Sequence, residues 1–106
     1  MAAVNWDTVL QQAVAAAANS LGGTWNTVSG NATQSIKTLT QTAEYIAQNP
    51  GLPADEQKVL TDNQKLAMQN VLLAYEDIGI AAAEQAVAAA WGVIQTALTT
   101  AIGAAI

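Results

Sequence analysis

The chain has 106 residues and a net charge of −5, with eight carboxylates, three lysines, no arginine, and neither Cys, His nor Phe. Phosphate recognition needs clustered cations, so nucleic-acid binding is excluded and attraction to an anionic lipid surface disfavoured; without thiols or imidazoles, disulfides, thiolate metal sites and the commonest general base are excluded as well. Only 10% of residues are charged although 52% are apolar, which predicts one small domain whose polar surface of Thr, Gln, Asn and Ser is cheap to desolvate against neighbours.

The opening Met1-Ala2-Ala3-Val4-Asn5-Trp6-Asp7 lacks the basic start of a secretory signal, so none is expected. Asn5 suits an N-cap and Asp7 the first turn of a helix, where a negative charge meets the dipole favourably. Trp6, Leu10, Ala13, Ala17 and Leu21 then recur at steps of three or four, the stripe of an amphipathic helix. Gly22-Gly23 ends it, giving a first helix over about 5–21.

From Thr24 the residues Trp25, Val28, Ala32, Ile36, Leu39, Ala43 and Ile46 keep the same period, predicting a second helix over 24–48 that Gly30 bends or splits. Asn49-Pro50-Gly51-Leu52-Pro53 is the clearest turn, and Asp55 and Glu56 follow in the first turn of the next helix. Beyond it Val59, Leu66, Leu73, Ile80, Val87, Ile94 and Ala101 fall seven residues apart. That row predicts one long helix over 53–103, kinked at Gly79 or Gly92. Unbroken, it would be roughly 75 Å long at 1.5 Å per residue. The predicted fold class is therefore all-α: a helical hairpin or small bundle in which two shorter helices pack on a long C-terminal one, as a single domain 1–106 with its elbow at 49–53.

The carboxylates offer no converging acid pair, because Glu76 with Asp77 and Asp55 with Glu56 are sequence neighbours that point about 100° apart on a helix. No enzyme, metal or cofactor is expected. The small helical-hairpin substrates of type VII secretion carry a Trp-x-Gly elbow and a C-terminal Tyr-x-x-x-Asp/Glu; here the elbow is 49–53 and Tyr75 is followed four positions on by Gly79, so no family is assigned.

The most informative segment is the tail 85–106, which carries no charge. Its apolar face, Val87, Trp91, Ile94, Leu98 and Ile102, reads either as core or as a surface buried between copies. Glu84, the last charge before it, reads as a buried carboxylate that fixes helix register or, more ordinarily, as a solvent-side residue. Small residues four apart at Ala82, Ala86 and Ala90, and at Ala88, Gly92 and Thr96, permit close backbone approach.

The expected function is structural: a homo-oligomeric subunit of a virion or an extracellular filament or particle, associating through Val87, Trp91, Ile94, Leu98 and Ile102. One alternative is a membrane-active protein, a pore former or phage-ejected chain, that inserts the tail into a bilayer. The other is a helical bundle that holds an apolar small molecule.

Overall fold

The computed structural model describes residues 4–103 and contains four α-helices in one bundle. Helix α1 runs Trp6–Leu21, starting from Asn5, whose side-chain oxygen accepts the Thr8 N–H at 3.2 Å. This satisfies one of the donors that every helix start leaves open. Its buried stripe is Val9, Ala13, Ala17 and Leu21, with Trp6 and Leu10 half-buried at the margin. The helix ends at Gly22, whose φ of 60° is cheap only for glycine and whose N–H donates to the Ala18 carbonyl. A single 3-10 turn, Gly22–Thr24, leads into the next element.

Helix α2 spans Trp25–Gln48 and passes Gly30 without a break. One exposed glycine costs about 1 kcal/mol, and the stripe on either side of it outweighs that: Val28, Ala32, Ile36, Leu39, Ala43 and Ile46 are fully buried. Thr40 is buried beside them because its hydroxyl donates to the Ile36 carbonyl at 2.8 Å. At the elbow the Leu52 N–H donates to the Asn49 carbonyl at 3.0 Å, and the Asn49 side-chain amide donates to the Tyr45 carbonyl at 2.7 Å.

The C-terminal arm is helical on both sides of Gly79 but interrupted there. Helix α3 covers Ala54–Leu73, the chain turns over Ala74 to Gly79, and helix α4 covers Ile80–Ile102. Ile78, 5% exposed, anchors the turn in the core, and Tyr75 receives a hydrogen bond from Asn31 at 2.6 Å that ties it to the start of α2. Gly92 does not interrupt α4. The arm therefore folds back on itself, and the longest dimension is 41 Å rather than the length of an unbroken helix.

The interruption also resets the seven-residue row. Val87 and Ile94 are buried, whereas Val59, Leu66 and Ile80 are 57%, 56% and 64% exposed. A period counted across the turn has no continuous helix to keep it on one face. The side of α3 that meets the core is Thr61, Met68 and Leu72 instead. Thr61 is tolerated there because its hydroxyl donates to the Gln57 and Lys58 carbonyls, both at 3.1 Å.

Helix α4 packs most extensively on α1, and α2 packs on α3. Fully buried alanines on both sides, Ala13 and Ala17 of α1 and Ala83, Ala86 and Ala90 of α4, let these apolar helices come together without large side chains between them.

Candidate functional site

Of the helix pairs that touch, α3 and α4 meet least extensively. Where it borders α4, α3 carries the polar side chains Gln57, Lys58, Thr61, Asp62 and Lys65. The result is a groove of about 690 Å³, within the size range of small-molecule sites. Its lining is apolar toward the elbow, where Ile46, Leu52 and Ile102 meet, and polar along α3. It shares Asp62, Lys65, Trp91 and Gln95 with a second recess of about 430 Å³ that runs on toward Leu66, Gln69 and Glu84. Since early α3 faces late α4 and late α3 faces early α4, the two helices are antiparallel and the groove follows their seam.

Trp91, half-buried, is the aromatic residue common to both recesses. The Lys65 ammonium lies 5.2 Å from its ring centroid, a cation–π contact worth about 0.5–1 kcal/mol at a partly exposed position. Asp62 sits between two lysines, 2.5 Å from Lys58 Nζ and 3.5 Å from Lys65 Nζ. The Lys58 hydrogen bond, above all, and the positive charges of both lysines hold its carboxyl below the ordinary value against an opposing desolvation. Lys65 thus lies under two attractions, the face of Trp91 and the Asp62 carboxylate.

The tail residues singled out from the sequence fall into two groups. Ile94 and Leu98 are fully buried and Val87 is 6% exposed; they belong to this chain's core with residues of α1 and α2. Within the single chain, then, Ile94 and Leu98 carry no exposed surface and Val87 very little. Trp91 and Ile102 are partly buried and line the groove. Glu84 is exposed at the rim of the second recess, on the solvent side.

Of the small-residue patterns, Ala86 and Ala90 are buried, while Ala88, Gly92 and Thr96 lie on the exposed side of α4. Among the described residues, α4 is the one helix long and apolar enough to cross a membrane by length and composition. No group of three potential ligands among the described residues is placed to hold a metal ion.

Lys58, Asp62 and Lys65 are not among the residues singled out from the sequence. Their i, i+4 and i, i+3 spacing does forecast the ion pairs. Their position over Trp91 depends on the rotation of α3 against α4, which no local pattern encodes. No family model, curated protein or solved structure matches the chain.

Proposed function

We propose that this protein is a small helical binding module whose site is the α3–α4 groove, and that the ligand is an amphipathic small molecule. The observation that carries the reading is the groove itself: about 690 Å³ of space, apolar at the elbow end and polar along α3, with an aromatic ring at its base. A bundle selected only for stability would close such a seam with interlocking apolar side chains. Here the inner side of α4 packs on α1 and α2, and the space is left on the side toward α3.

The test uses a neutral dye whose emission rises in apolar surroundings, N-phenylnaphthylamine. Binding should saturate, and both Trp91→Ala and Gln95→Trp should abolish it, the first by removing the base of the groove and the second by filling it. Gln95→Trp leaves the fully buried core residues in place, so retained helicity by circular dichroism separates loss of binding from loss of fold. Dye binding unchanged in both variants, or no binding at all, would refute the proposal.

A second reading, the self-associating structural subunit, is supported by a different observation. Val59 and Leu66 stand more than half exposed one heptad apart on α3, with Ile80 beyond the turn. Association would then use this outer side of α3 and the start of α4 in place of Val87, Ile94 and Leu98. Sedimentation velocity at micromolar protein decides it: a single 10.9 kDa species removes this reading.

A further inference from the structure

Resting on the groove reading above, we infer that the ligand is an organic monocation with an apolar tail, whose ammonium takes the place of the Lys65 ammonium over Trp91 and beside Asp62. The protein shows what this spot accepts, because it places a cation of its own there. Lys65 Nζ is 5.2 Å from the Trp91 ring centroid and 3.5 Å from the Asp62 carboxylate. Its side chain is 33% exposed, against 75% for Lys58, which pairs with Asp62 from the solvent side. An aromatic face next to a carboxylate is the pairing that recognises alkylammonium groups.

The surroundings favour the same sign. Asp55, Asp62 and Glu84 border the two recesses, against Lys58 and Lys65, in a chain of net charge −5. Once Lys65 swings out to solvent, a cation in its place restores both attractions, whereas an anion would meet the Asp62 carboxylate. From Trp91 the groove leads to the partly buried Leu52 and Ile102, which gives an alkyl tail an apolar path toward the elbow.

Lys65 is then an internal competitor, and this distinguishes the inference from generic groove binding. The probes are decyltrimethylammonium, decanoate and decanol, each below its aggregation concentration, titrated into nitrogen-15-labelled protein. The signal is the indole N–H of Trp91, assigned with Trp91→Phe. The trimethylammonium compound should bind most tightly. Lys65→Gln should tighten it by roughly threefold or more, as expected from releasing a partly exposed cation–π contact, and Asp62→Asn should weaken it.

A preference for decanoate, equal binding of decanol, or weakened cation binding in Lys65→Gln would overturn the inference while leaving the groove reading intact. No movement of the Trp91 signal with any of the three would overturn both.

Discussion

The isoleucines of α4 provide a matched pair for testing the assignment of its inner face. Ile94 is fully buried and Ile80 is 64% exposed, so the same change, Ile→Ala, is made on one helix in opposite surroundings. At Ile94 it removes three carbon groups, about 2.4 kcal/mol of transfer free energy at roughly 0.8 kcal/mol each. A cavity contribution adds to this. Ala86, Ala90 and Val87 lie on the same side of the helix, and side chains that short cannot reach across to fill the space.

A total near 3 kcal/mol follows, and with an unfolding entropy of about 0.2 kcal/mol/K for a chain of this size it lowers Tm by roughly 14 °C. Ile80→Ala should stay within about 0.5 kcal/mol of the parent, since an exposed site loses little and alanine is the better helix former. Thermal and urea unfolding followed by circular dichroism measure both. If the two substitutions cost the same, or if Ile94→Ala costs under about 1 kcal/mol, then Ile94 is not packed in the core of a single chain and the reasoning on α4 is wrong.

Three further outcomes follow from the same structure. Gly30→Ala should raise stability by about 1 kcal/mol, because the glycine is mid-helix with open space where a Cβ would go; Gly22→Ala should lower it by about 1–2 kcal/mol, because φ there is +60°. Both are read from urea midpoints, and the same sign for both would contradict the helix boundaries. The folded carboxyl of Asp62 is depressed by Lys58 and then Lys65, so its contribution is present above the unfolded carboxyl value, about 3.9, and is lost as pH falls from there through the folded value. Asp62→Asn should therefore flatten the acid limb of the stability–pH curve and leave its shape near neutrality unchanged; an unaltered acid limb argues against the triad. Finally, if any oligomer is found by sedimentation, Val59→Gln should dissolve it without lowering Tm, whereas an oligomer that survives Val59→Gln is not held by this side of α3.

The first half of the fold was legible because it is periodic and punctuated. Asn5, Gly22 and the Asn49-Pro50-Gly51 turn carry their structural roles in their own chemistry, and six of the seven residues on the α2 stripe are the buried ones. The second half was legible as helix but not in its facing. The row from Val59 to Ala101 is regular in sequence, yet Ala74 to Gly79 separates two helices whose inner sides are set by tertiary contacts. Ile78, Met68 and Leu72, which anchor α3 and its turn, lie off that row. The groove was less legible still, as Trp91 could be read as core or interface but not as the base of a cleft, and Lys65 is twenty-six positions away from it.

Helix α3 sits against the direction its own composition favours. Val59 and Leu66 are more than half exposed, while Lys58, Thr61, Asp62 and Lys65 line the seam with α4, where Leu66 borders the second recess. Burial alone would turn the helix the other way, placing two branched apolar side chains against Trp91 at about 1.5–3 kcal/mol each. What holds the observed rotation is the far end, where Met68, Leu72 and Ile78 are buried and Asn31 grips Tyr75. One rotation therefore leaves polar side chains along the groove and Val59 exposed outside it, so binding there and self-association through Val59 make separable demands on the same helix. Gln95→Trp should remove dye binding and leave molecular mass untouched, and Val59→Gln, outside both recesses, should do the reverse; a variant on either side that changed both would mean that α3 turns as a unit when one of its sides is occupied.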